Sequence, residues 1–245
     1  MQKIVILLSG RHFSEGAFEF IKKMRSEAPL KLTAVFLPEW VPSPIGASED
    51  EAANMARFEW LCGQYRIDVK MCADREDFIL SRISRESRFA DLLIVGMEDF
   101  HKNEMDFLHE AECPVLLVPE KIYLPEHIIL SYDGSASSVF AIRQFASLFP
   151  DLCKKETVLV YEGKRVDLPY GSYLKELTDR YFPSLSYLRL DPEDDECFNS
   201  WVQEISRPMV VAGSFGPAGT FPLFRKGFIS ELIDQNQLLV FLARK

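Results

Sequence analysis

The residues best suited to chemistry lie in two short segments far apart in the chain. Asp133-Gly134-Ser135 follows the apolar run Ile128–Tyr132. The second segment runs Val210-Val211-Ala212-Gly213-Ser214-Phe215-Gly216-Pro217-Ala218-Gly219 and continues to Gly227-Phe228-Ile229-Ser230-Glu231. Glycines let a backbone approach a ligand closely, and a helix N-terminus offers unpaired N–H groups and a favourable dipole. A strand, a glycine-rich loop and a helix start in that order therefore suit an anion such as a phosphate. Both segments also have a plainer reading. Asp133-Gly134-Ser135 can be a turn and N-cap for a helix beginning near Ala136, and the glycines a strand-to-helix turn.

Other chemistries find no support. There is no GxSxG elbow, no Walker A lysine after a GxxxxG stretch and no locally supported Cys/His pair, so no catalytic residue is assigned. His12 reads as a capping or solvated side chain. His101 and His109 lack the carboxylates or further histidines of a metal site, so no metal is assigned. Phe215, Phe221, Phe224 and Phe228 read as packing around the loop, and the acidic run Asp191–Glu196 as a solvated loop and helix start. The net charge of −9 argues against a nucleic-acid partner, which needs clustered Lys and Arg. No apolar run approaches the roughly 20 residues of a membrane span. Five scattered cysteines and an opening run too short for a secretory h-region lead us to expect a cytoplasmic protein with reduced thiols.

The elements that must hold these residues are short apolar runs alternating with helical stretches. Strands are expected at Ile4–Leu8, Leu32–Leu37, Ile67–Met71, Leu92–Val95 and Val115–Val118. Ala17, Phe20, Ile21 and Met24 show helical spacing, and helices are expected over Ser48–Tyr65 and Asp77–Phe89. Continuous rather than alternating apolar strands imply parallel sheets covered on both faces. The order then restarts with His127–Tyr132, a helix carrying Val139, Ile142, Ala146 and Phe149, then Thr157–Tyr161, Leu185–Leu190, a helix around Asp195–Ile205, Met209–Ala212 and Leu238–Leu242. Lys3–Ser9 aligns with His127–Asp133, Leu92–Gly96 with Met209–Gly213, and Val115–Val118 with Leu238–Phe241. The chain thus reads as an internal duplication, residues 1–120 and 125–245, joined at Pro119–Pro125.

The loop at Gly213 resembles the ATP-binding loop of the universal stress protein family, whose pattern is G-x2-G-x9-G-[S/T]. Gly213 and Gly216 match its first two glycines, and Gly219 falls where many members have another. Gly227 stands for the third after one extra residue; Phe228 replaces the small hydroxyl residue, and Ser230 matches a later serine. Ile128–Tyr132 with Asp133-Gly134-Ser135 resembles the family's opening strand and D-x-S turn, and Cys113–Val118 its final strand. The resemblance implies two tandem α/β domains, each a five-stranded parallel sheet between helices, packed as an internal pseudo-dimer. It further implies that Asp133 meets adenosine, that backbone near Val160-Tyr161 meets adenine, and that Gly213, Gly216, Gly219, Gly227 and Ser230 surround ribose and phosphates.

The first half departs from that pattern. Gly96 is followed by Met97-Glu98-Asp99-Phe100, and the family's aspartate corresponds to Ser9, or to His12 if a three-residue insertion is placed differently, neither of them acidic. Nucleotide is therefore expected only in the second half. The expected function is a non-enzymatic, regulatory stress protein that weakly binds ATP, with Mg²⁺, or AMP, and that acts on an unknown protein partner. The alternative is a structural or partner-binding scaffold without nucleotide. A hydrolase of the wider α/β nucleotide-binding group is disfavoured for want of a base. Because the family dimerises through its last strand, a fused pair can satisfy that contact internally; a homodimer stays open, and Gln237 replaces the proline the family has there.

Overall fold

The computed structural model describes residues 1–9, 13–27, 29–37, 49–72, 79–97, 106–162, 168–190, 201–202, 204–213 and 238–245. The chain divides into two compact units, Met1–Ile122 and Tyr123–Lys245.

The first unit contains β1 (Gln2–Ser9), α1 (Glu15–Glu27), β2 (Leu30–Leu37), α2 (Glu49–Gln64), β3 (Asp68–Cys72), α3 (Ile79–Ser87), β4 (Leu92–Gly96), α4 (Asp106–Glu110) and β5 (Val115–Val118). Its strands are all parallel, in the order β3-β2-β1-β4-β5. The second contains β6 (His127–Tyr132), α5 (Ala136–Leu148), β7 (Glu156–Glu162), α6 (Gly171–Tyr181), β8 (Leu185–Leu190), β9 (Pro208–Gly213) and β10 (Leu239–Ala243). Its parallel order, β8-β7-β6-β9-β10, repeats the first. Among the described residues each unit is thus a five-stranded α/β sheet whose order reverses beside its first strand.

Burial follows from that position. Strands β4, β5 and β10 are buried at every residue, as strands covered on both faces must be. The outer strands β3 and β8 are exposed or half-buried along their length, except at the buried Cys72 that ends β3. On α1, Ala17, Phe20, Ile21 and Met24 are all buried, as their spacing requires. On α5 the buried face is Ser138, Ala141, Ile142, Phe145 and Ala146. Val139, expected in that stripe, is half-exposed, and Phe149 lies one residue beyond the helix, where it is still buried. The cause is a tertiary contact: Phe145 turns toward Phe149, Phe182 and Phe241, with ring centroids 5.5, 6.5 and 5.6 Å away, and this cluster sets the helix rotation.

The register measures the internal repeat. Ile4 pairs with Leu92, and its counterpart Ile128 pairs with Met209, as the sequence alignment requires. The third alignment is corrected by two residues. Leu93 pairs with Val115, whereas its counterpart Val210 pairs with Val240, so Val115 corresponds to Val240 and not to Leu238. A slip of two preserves which side chains face which layer, so apolar pattern alone could not detect it.

One further constraint is steric. A Cβ at Gly16, in the first turn of α1, would lie 1.9 Å from the Pro119 carbonyl oxygen. Glycine is therefore needed where that helix meets the chain leaving β5.

Phe145 is fully buried at the centre of its cluster, so Phe145→Ala should destabilise the second unit by about 3–5 kcal/mol. Tyr173→Ala, at a residue 75% exposed, should change stability by no more than about 0.5 kcal/mol. Urea unfolding of the full chain checks both.

Candidate functional site

In open parallel sheets, ligands bind beyond the carboxyl ends of the strands, where the strand order reverses. In the second unit that point lies between the adjacent strands β6 and β9. Asp133 follows β6, and Gly213 ends β9. The two segments singled out by residue type, some eighty positions apart, therefore meet at the switch point of one sheet.

The contacts between them run through the start of α5. Ser135 is the N-cap: its backbone is extended (φ −75°, ψ 159°), and its hydroxyl accepts from the Ser138 amide at 3.1 Å. Asp133 Oδ1 accepts from the Ser135 amide at 2.8 Å, closing an Asx turn. Ser138 Oγ donates to the Ser135 carbonyl at 3.0 Å. Gly213 abuts the same helical turn, and a Cβ there would stand 2.6 Å from Ser138 N and 2.7 Å from Ser137 C. Gly213 thus lets the N-terminus of α5 close onto the end of β9. The turn-and-cap reading of Asp133-Gly134-Ser135 is realised, and it coexists with an Asp133 that is exposed at the crevice.

A third segment closes over this turn. Tyr132, the last residue of β6, is buried, and its hydroxyl donates to the Pro169 carbonyl at 2.8 Å. Burial raises the Tyr132 phenol above its ordinary range, and the nearby charges of Asp133 and then Tyr170 add to this. Gly134 sits at φ +80°, and a Cβ on it would lie 3.0 Å from Pro169 Cβ. Tyr170 then caps α6 in the left-handed region (φ 52°, ψ 33°), which costs a non-glycine residue about 1 kcal/mol. Sequence reasoning missed α6 and this Pro169–Tyr170 contact. The signal was present as a proline and a glycine, Pro169 and Gly171, bracketing one residue ahead of a helical stretch.

Gly216, Gly219, Gly227 and Ser230 lie outside the described residues, as do Phe215, Phe221, Phe224, Phe228, Gln237, His12, His101, Glu98, Asp99 and the run 191–196. Of the expected nucleotide ligands, Asp133 and Gly213 are the two described, and they are brought together. Tyr161, beside Tyr132 in the ladder, is half-buried, while Val160 is buried. His109, on α4, is exposed. Among the described residues no group of His, Cys, Asp and Glu is arranged to hold a metal, and no helix is long and apolar enough to cross a membrane.

The corresponding place in the first unit is built differently. Leu8 pairs with Phe36 as Tyr132 pairs with Tyr161, so Phe36 is the counterpart of Tyr161. Phe36 is buried and packs edge-on against Phe58 at 6.2 Å. Phe58 also meets Phe13 and Phe18, at 6.3 and 5.8 Å. The Arg57 guanidinium lies 4.3 Å from the Phe13 ring centroid and pairs with Glu15. Where the second unit has a hydroxyl-capped turn beside a half-buried tyrosine, the first has an aromatic cluster closed by an ion pair.

No protein-family model matches the sequence, and no curated protein matches it. Solved structures do. A universal stress protein from Archaeoglobus fulgidus superposes with a TM-score of 0.65 at 12% identity, covering 98% of this chain and 96% of that one. The chain has the fold of a universal stress protein. A protein of unknown function from Pseudomonas aeruginosa gives a TM-score of 0.64 at 11% identity, over 100% of this chain and 92% of that one. The cytoplasmic domain of a prokaryotic cation chloride cotransporter gives 0.57 at 8% identity, over 99% and 95%. The universal stress protein fold accordingly spans the whole chain, and at these identities the likeness is one of architecture.

Two expectations follow for the packed groups. Ser135→Ala removes the α5 cap and should cost about 1 kcal/mol, and Gly213→Ala forces a Cβ against backbone and should cost about 1–3 kcal/mol. Thermal unfolding reads both. Burial pushes the Cys62, Cys113 and Cys153 thiols up to about 12, with Glu59 adding to the first and Asp91 to the second. These thiols are protonated at pH 8, so a disulfide reagent should modify them slowly in the native protein and rapidly in urea, as mass mapping would show.

Proposed function

We propose that the chain is a non-enzymatic, universal-stress-type protein of the cytoplasm whose second unit weakly binds an adenine nucleotide at the β6–β9 switch point. The observation that carries this reading is the convergence there of Asp133 and Gly213 with the N-terminus of α5. In this reading the exposed Asp133 carboxylate accepts hydrogen bonds from the nucleoside. The phosphates extend toward the glycine loop that begins at Gly213 and contains Gly216, Gly219, Gly227 and Ser230, with Mg²⁺ accompanying ATP. Occupancy of the site biases contacts with a protein partner. The aromatic cluster around Phe58 supports assigning no nucleotide to the first unit, because a base there would have to displace buried rings. A binding role, not a catalytic one, is supported by the lack of a positioned base in the sequence.

A second reading is favoured by one specific observation. The amides of Ser135 and Ser138 are already paired with Asp133 Oδ1 and Ser135 Oγ, so that part of the helix N-terminus is satisfied without a ligand. In this reading the chain is a scaffold that binds protein partners and has dispensed with nucleotide. The same pairing is why the first reading specifies weak binding.

Calorimetric titration of the full chain with ATP and Mg²⁺ separates the two. The expected result is one site per chain with a Kd of roughly 0.1–1 mM, or about −4 to −5.5 kcal/mol. Asp133→Ala should weaken it about tenfold, through loss of a charged acceptor. No heat at millimolar ATP, together with no shift in melting temperature, leaves the scaffold.

A further inference from the structure

We infer that β3 is an interface for a second copy of this chain, the two β3 strands pairing antiparallel about a two-fold axis at Val69. The inference concerns the first unit and stands apart from the nucleotide reading of the second.

The case begins with the position of β3. It pairs with β2 along one side, from Asp68 opposite Lys31 to Cys72 opposite Val35, and among the described residues no strand pairs with its other side. An edge strand offers a row of backbone N–H and C=O groups to a further strand. β8 is the edge strand of the second unit and offers the same backbone row, so the side chains must choose between them. β8 carries Arg189 and no acid, so no two-fold pairing of β8 with itself brings opposite charges together.

β3 does. Asp68 and Lys70 are both exposed and, two positions apart, project from one face of the strand. With Val69 on the axis, Asp68 stands opposite the partner's Lys70, and Lys70 opposite the partner's Asp68. Opposite charges directly across an antiparallel pair attract, and the two-fold axis makes that contact twice. Lys70 donates to Glu86 of α3 at 2.8 Å, yet its side chain is still 58% exposed, and an ammonium has donors enough for a second carboxylate. On the other face Val69 and Met71 are half-buried, so a second β3 alongside covers apolar surface as well. A lysine alone on an edge strand keeps other strands away. Asp68 turns that repulsion into a match for this one register, and the occupant that carries the matching pattern is a second copy.

Charge exchange gives a direct test by sedimentation velocity of the full chain between about 1 μM and about 200 μM. The wild type should pass from monomer to dimer across that range. D68K and K70D each set like charges across both contacts and should weaken the dimer at least about tenfold. The double variant D68K/K70D restores the match and should dimerise as the wild type does. An equimolar mixture of the two single variants should form a mixed dimer at concentrations where each alone is monomeric. D68K leaves the Lys70–Glu86 contact intact, so it should keep its fold, and it decides the case alone if K70D does not fold. A wild type that is monomeric throughout would overturn the assignment. So would a D68K variant that dimerises as the wild type does, or folded single variants that stay apart on mixing.

Discussion

Between the end of β9 and the first turn of α5 there is no room for a methyl group, and much of the second unit's carboxyl end depends on that closeness. With Gly213 in place, the helix starts hard against the strand beside which the sheet order reverses. The amino end of α5, the turn after β6 and the root of the glycine loop then share one small region. The hydrogen bonds that the Ser135 amide donates to Asp133 and the Ser138 amide donates to the Ser135 hydroxyl fix the entry angle of the helix. Tyr132 and Pro169 then tie the next crossover to the same spot. A polar, backbone-rich corner results from three close approaches, at Gly213, at Gly134 and at the Tyr132 hydroxyl.

The first unit has the same strand order and equivalent β1–β4 pairing, with other side chains at the described carboxyl ends of its strands. Its counterpart of Tyr161 is Phe36, and Phe13, Phe18 and Phe58 complete an aromatic cluster that Arg57 and Glu15 close from outside. Buried rings of this kind contribute several kcal/mol each to stability and exclude water and ligands from the space they fill. In the second unit, exposed polar groups such as Asp133 stand at the place where parallel sheets hold ligands.

Much of this was legible in the sequence, for definite reasons. Fully buried strands such as Leu92–Gly96 and Leu239–Ala243 announce themselves as apolar runs, and their repeated order in the sequence is matched by the strand order the two units share. Residue type also found Asp133 and Gly213, because few residues suit a turn after a strand or a strand end without space for Cβ. Three things were hidden. The two-residue offset of β10 preserves the facing of every side chain. The rotation of α5 is set by Phe182 and Phe241, which are remote in sequence. Pro169 finds its place only when Tyr132 reaches it across 37 positions. Each depends on a tertiary contact, which periodicity does not encode.

Backbone amide chemical shifts, followed while MgATP is added to isotopically labelled full-length protein, address the central claim most directly. The expected result is progressive movement of the Asp133, Gly134, Ser135 and Gly213 amides with a common saturation, while Ser9 and Gly96 at the equivalent ends of β1 and β4 stay still. Movement centred on Ser9 and Gly96, or spectra unchanged at millimolar nucleotide, would contradict it.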